Sequence, residues 1–129
     1  MKLTSLTMPW ADAEYTFDLK LEQMRNVQEK TGFGPARLVK NLQGDEWKID
    51  EYREVILQGL LGAGMELDKA RPLIRKWVDQ RPAKESILPA TLILMAFIVG
   101  GPEPKKDPTP EPKVETPTET QAKTMEPVA

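Results

Sequence analysis

Residues Ile87–Val99 read ILPATLILMAFIV, thirteen positions without a charged side chain, closed by Gly100-Gly101 and followed by a proline-rich stretch. Thr91 is the only polar residue in the run. Successive residues of a helix turn by about 100°, which sorts the run into three stripes: Leu88, Leu92, Met95 and Val99; Ile87, Leu94 and Ile98; and Ala90, Ile93 and Phe97. A helix that is apolar in every direction has to be covered in every direction. A domain of about 100 residues has few helices with which to do that, so the sequence predicts a central core helix with one side turned toward another chain. Thirteen residues of helix rise about 20 Å against a hydrocarbon core of about 30 Å, too short to span a membrane. The run lies far from the amino terminus, and the start MKLTSLTMPW lacks the apolar core of a secretory signal.

Composition narrows the chemistry. Among 129 residues there is no cysteine and no histidine, which removes disulfides, thiolate nucleophiles, thiolate metal sites, the commonest general base and the commonest transition-metal ligand. The net charge of −2 resides in residues 101–129, which carry six acidic and four basic side chains; the first hundred residues balance at fourteen of each. A neutral domain has no electrostatic reason to seek nucleic acid or an anionic membrane. Its partner is expected to be chosen by shape and apolar contact.

Working outward from the apolar run, Leu3–Met8 alternates as L-T-S-L-T-M, and Tyr15, Phe17 and Leu19 alternate with Thr16 and Asp18. These are strand signals, joined by a connection containing Pro9 and Trp10, and they predict a two-stranded ribbon. Leu21, Met24 and Val27 have helical spacing up to the break at Gly32-Phe33-Gly34-Pro35. Pro35 suits the first turn of a short helix that stops at Gly44. Asp50 is the expected cap of a longer helix carrying Tyr52, Val55, Ile56 and Leu60, with Glu51 and Glu54 near its positive end. Gly62 and Gly64 end it. Asp68 is the expected cap of a fourth helix with Ala70, Leu73, Ile74, Trp77 and Val78 on its apolar face, which places Pro72 in the first turn or so. Ser86 is the expected cap of the last helix. The sum is an α+β fold, mostly α: a short N-terminal two-stranded ribbon, then about five helices over residues 1–100. Residues 101–129, rich in Pro, Glu, Thr and Lys, bury too little apolar surface to offset chain entropy and are expected to be a disordered tail, either solubilising or a docking segment.

Features that suggest catalysis have simpler explanations. Asp45-Glu46 and Asp50-Glu51-Glu54 are carboxylate clusters, but they precede or open a helix, where capping accounts for them. Gly59, Gly62 and Gly64 do not follow phosphate-loop spacing, and Gly32-x-Gly34 reads as a turn. Trp77 fits the core. Trp47, between Glu46 and Lys48, is harder to bury, and large aromatics near a surface are enriched at interfaces. Trp10 suits the covering of a sheet edge. The sequence predicts a non-enzyme without cofactor or metal.

From Tyr15 to Gly100 the order of pieces is a strand ending Phe17-Asp18-Leu19, a first helix, the Thr31-Gly32-Phe33-Gly34 break, the Tyr52–Gly64 helix ending Gly-Leu-Leu-Gly-Ala-Gly, the Asp68–Gln80 helix, Arg81-Pro82 and the Ile87–Val99 helix. In this order the chain resembles the small tail-assembly proteins of long-tailed phages and phage-derived gene transfer agents. The resemblance implies a tail assembly chaperone that coats the helical tape measure protein and helps recruit tail tube subunits in the host cytoplasm. Some members are instead labelled tail tube proteins, which implies a structural component retained in the virion. A homo-oligomer is compatible with both. The partner-binding candidates are Trp47, Met65, Leu92, Ile93, Met95 and Phe97, apolar or adaptable side chains suited to a helical partner. No nucleic-acid or membrane partner is expected. A frameshifted longer product, as the resemblance implies for several such systems, would diverge just after Gly100.

Overall fold

An antiparallel hairpin opens the folded chain. The computed structural model describes residues 3–102; the predicted disordered tail lies, from residue 103 on, outside the described residues. Strands β1 (Ser5–Trp10) and β2 (Ala13–Asp18) pair with Leu6 opposite Phe17, Met8 opposite Tyr15 and Trp10 opposite Ala13. Side chains alternate across a strand, so these apolar residues share one face, and Thr7, Pro9, Glu14 and Thr16 take the other. Pro9 and Trp10, expected in the connection, complete β1 instead, and the turn shrinks to Ala11-Asp12. A two-stranded ribbon leaves one edge of each strand unpaired, and a proline is tolerated on such an edge. Ala11 takes a φ of 58°, uncommon for a residue with a Cβ; beside it the Tyr15 hydroxyl donates to Asp12 Oδ1 at 2.7 Å. Trp10 is buried edge-on to Tyr15 and Phe17, with ring centroids 5.4 and 5.5 Å away.

Five helices follow: α1 (Leu21–Thr31), α2 (Pro35–Gln43), α3 (Ile49–Gly62), α4 (Leu67–Ile74) and α5 (Lys84–Val99). This is the α+β, mostly helical architecture that the periodicity predicts. Helix α3 is the hub, packing against α1, α4, α5 and β2, while α5 also rests on α2 and the ribbon. Phe17, Val27, Leu38, Val55, Ile56 and Leu94 are wholly buried at the centre. Two close approaches fix the packing. A Cβ on Gly62, the last residue of α3, would stand 1.8 Å from the Asp18 carbonyl oxygen, and one on Gly101 would stand 2.0 Å from that of Ser5. Gly101 also donates its N–H to the Leu3 carbonyl at 2.7 Å, which fastens the end of α5 to the start of the ribbon.

Three expected caps lie inside their helices instead. The N-caps of α3, α4 and α5 are Lys48, Glu66 and Ala83, and none makes a side-chain capping bond. Asp50 and Asp68 are second helical residues, where their charge still favours the positive end of the helix. Ser86 is the third residue of α5 and is buried. The orphan N–H at the start of α3 is met differently: Glu51 Oε2 accepts the Lys48 N–H at 3.0 Å, and its Oε1 accepts Asn41 Nδ2 at 3.1 Å. Glu51 is only 1 % exposed, so it pins α2 to α3 from within.

Pro72 is the sixth residue of α4 rather than a first-turn residue, and Pro89 occupies the sixth position of α5. Each proline takes an N–H away from the carbonyl four residues earlier, Asp68 and Glu85, both exposed and so open to water. A five-residue π turn, Arg75–Asp79, continues α4. Trp77 in that turn is half-buried rather than enclosed: it packs against the core, with Lys76 Nζ and Arg81 Cζ 5.4 and 5.5 Å from its ring centroid.

Candidate partner-binding surface

The three stripes of α5 meet different fates. Ala90, Ile93 and Leu94 are buried against the neighbouring elements. The stripe Leu88, Leu92, Met95, Val99 faces outward: Leu88 is 64 %, Leu92 40 % and Val99 60 % exposed, with Met95 half-buried among them. Ile98, 42 % exposed, widens its carboxyl end. Thr91, the lone polar residue, turns its hydroxyl onto the Ile87 carbonyl at 2.8 Å and presents no unmet donor to the surface.

Spacings of four, three and four residues give this stripe the 3,4 alternation of a coiled-coil seam, with Leu92 and Val99 at one kind of core position and Leu88 and Met95 at the other. Its flanking positions, Pro89, Thr91, Ala96 and Ile98, are uncharged. Charges at such positions set partner choice and orientation in coiled coils. The seam therefore offers shape and apolar area without an electrostatic register.

The predicted candidates separate on this geometry. Leu92 and Met95 lie on the seam. Ile93, 1 % exposed, is a core residue of this chain, its Cγ2 3.4 Å from where a Cβ on Gly59 would sit. One residue beyond Leu92, the helix has turned it inward. Phe97 falls on the opposite side of α5 from Leu88 and packs, half-buried, against the core. Met65, in the α3–α4 connection, also packs half-buried against the core, its N–H donating to the Leu60 carbonyl at 3.1 Å. Trp47 is half-buried and edge-on to Tyr52 at 5.5 Å, and its indole Nε1 is buried without a hydrogen-bond partner. The exposed Asp45–Lys84 ion pair, 3.3 Å, ties the α2–α3 connection holding Trp47 to the amino end of α5, one turn before Leu88. Leu88, Ile98 and Val99 are absent from the candidate list, although the 100° sorting had already put Leu88 and Val99 with Leu92.

Titratable groups show causes that belong to packing. Burial, then the negative charge of Asp79, pushes the Tyr52 phenol up. The bidentate Asp79 carboxylate, at 2.8 and 3.0 Å, raises the Arg53 guanidinium. The hydrogen bond to Asp12 raises Tyr15. Among the described residues no group of three or more acidic side chains is placed to hold a metal ion, and no helix is long and apolar enough to cross a membrane.

Residues 4–100, the ribbon and all five helices, match the family model described as phage tail tube protein, GTA-gp10. The chain belongs to that family. Neither curated proteins nor solved structures yield a match. The GTA-gp10 match also takes in strand β1, ahead of the Tyr15 start of the resemblance, and it ends at Gly100, where α5 stops. Membership gives the chain a tail-related role.

Proposed function

We propose that this chain is a non-catalytic tail assembly chaperone, acting in the host cytoplasm, that holds the helical tape measure protein against α5 and so aids tube assembly. The observation that carries this is the uncovered seam Leu88, Leu92, Met95 and Val99 in an otherwise enclosed core helix. Fully burying a leucine or valine side chain is worth about 1.5–3 kcal/mol, so a seam left in water is a standing incentive to associate. A helix lying antiparallel or parallel along it buries those side chains with no charged flank to oppose either direction. Co-expression tests this: the wild-type chain raises the soluble fraction of the tape measure protein and co-elutes with it on gel filtration, and Leu88→Glu with Val99→Glu, at the two most exposed seam positions, abolishes both while leaving the melting temperature close to that of the parent. No change in tape-measure solubility with the wild-type chain rejects it.

A second function, a structural subunit of the tail tube, is favoured by the family's own description. Proteomics of purified particles separates the two. High copy number in the particle supports the tube subunit, and absence from it supports the chaperone.

A further inference from the structure

On a different side of the molecule, α1, α3 and α4 enclose a cleft of about 460 Å³. Lys30, Arg53, Arg71 and Arg75 line it, against Glu54 and Asp79. Both carboxylates are already engaged. Arg53 holds both oxygens of Asp79, and Glu54 Oε2 accepts Gln58 Nε2 at 2.8 Å. Among the described residues Lys30, Arg71 and Arg75 form no ion pair. Leu57 and Ile74 add apolar wall between the charges.

The π turn contributes directly to this surface. In a regular α-helix, residues four apart drift progressively around the axis. The wider π turn rotates the chain less per residue, and through Arg75–Asp79 it keeps Asp79 on the side of Arg71 and Arg75. A neutral domain thus concentrates in one concavity, next to apolar wall, three cations that form no ion pair among the described residues.

We propose that this cleft seats the segment Val114–Thr120 of the same chain. The segment reads VETPTET, lies between Lys113 and Lys123 without a basic residue of its own, and pairs Val114 with Glu115 and Glu119. Charge complementarity puts the two carboxylates among Lys30, Arg71 and Arg75, and Val114 against Leu57 and Ile74. Val114 lies twelve residue steps beyond Pro102, and at about 3.1 Å per step of extended polyproline chain the connection reaches about 37 Å, enough to cross a domain of this size. None of the cleft residues belongs to α5, so a seated segment leaves the apolar seam open.

The chain has no cysteine, so a nitroxide can be placed on the full-length protein at Thr116→Cys alone. At low salt the amide signals of Leu57 and Ile74–Asp79 should lose at least about half their intensity, as a tethered contact at millimolar effective concentration allows. The loss should not change on dilution, and it should vanish at about 1 M salt, where the Debye length is about 3 Å. Glu115→Lys with Glu119→Lys, changes outside the described fold, should abolish it, as should Arg71→Glu with Arg75→Glu. Four results overturn the proposal: no selective loss at the cleft, loss centred on α5, loss that grows with protein concentration, or loss that survives the tail charge reversal.

Discussion

Alanine at position 62 tests the packing that holds the seam helix in place. Gly62 and Gly59 both lie in α3, so the same substitution brings the same intrinsic helical gain to each, at most about 1 kcal/mol. Their surroundings differ. At Gly59 the new Cβ meets Phe17 Cβ and Cδ2 at 3.1 and 3.2 Å, which a shift of a few tenths of an ångström between α3 and β2 relieves. At Gly62 it stands 1.8 Å from the Asp18 carbonyl oxygen, against an ordinary carbon–oxygen separation of about 3.3 Å. Backbone must retreat by about 1.5 Å, and the Lys20 N–H to Asp18 carbonyl bond, 3.1 Å, goes with it. Overpacking costs about 1–3 kcal/mol and the hydrogen bond about 1. Set against the helical gain, Gly62→Ala loses about 2 kcal/mol, a fall of about 8–16 °C in melting temperature for a domain of this size. Gly59→Ala stays within about 1 kcal/mol of the parent. Circular dichroism melts of the two variants side by side make the measurement, and a Gly62→Ala protein as stable as Gly59→Ala would refute the close approach of α3 to β2.

Glu51→Ala leaves the Asn41 amide and the Lys48 N–H without an acceptor and should lower stability by about 2–4 kcal/mol in urea titrations; Glu51→Gln, which keeps one acceptor oxygen, should lose less. The Tyr52 phenol is raised above its ordinary 10.0, so its neutral form contributes stability that is whole below pH 10 and is lost as pH rises through the folded value. Stability should therefore fall above pH 10, and Tyr52→Phe should flatten that fall; superimposable alkaline slopes would count against it. Binding to the proposed helical partner should depend steeply on partner length, with single-turn-pair peptides near millimolar and long rods far tighter, as read by calorimetry on a peptide series. Nanomolar affinity for one short helix is the contrary result.

Most of the architecture was legible because it rests on apolar spacing, which survives any local detail. Met24 and Val27, or Val55, Ile56 and Leu60, come together on one buried face when the segment is helical, and that is where they are, while Leu21 at the start of α1 stays exposed. Element starts were less legible because sequence signals for caps are statistical and this chain meets its orphan donors by other means. Glu51 reaches back to Lys48, and acidic residues in the first turns stand in for side-chain caps. The ribbon turn was hidden because Ala11-Asp12 lacks the glycine or asparagine that usually marks a left-handed position. At the seam, the angular sorting separated Leu92 from Ile93 correctly. Ranking by apolarity alone then put both on the contact surface, because hydrophobicity does not say which of three apolar directions the rest of the fold will cover. The cleft was invisible for a further reason: Lys30, Arg53, Arg71 and Arg75 are scattered in sequence, and only the packing of α1, α3 and α4 gathers them.

The size of the seam bears on how such a protein works. From Leu88 to Val99 it is about 16 Å long, one side chain wide except where Ile98 broadens its carboxyl end, and already partly covered at Leu92 and Met95. It therefore supplies a few hundred Å² at most, below the roughly 800 Å² per partner of a stable specific interface. One copy on one short helix should exchange readily. A rod that repeats apolar stripes along its length changes the arithmetic, because each bound copy covers a separate stretch and the rod is kept from aggregating only when many are occupied at once. Weak individual contacts with uncharged flanks then become useful. They tolerate variation along the rod, they do not fix an orientation, and they yield when a more extensive interface competes for the same stripe. A tightly held, charge-registered seam would do none of these. The absence of charge at Pro89, Thr91, Ala96 and Ile98 thus fits a transient cover for a long helix better than a permanent joint between identical subunits, whose register has to be fixed.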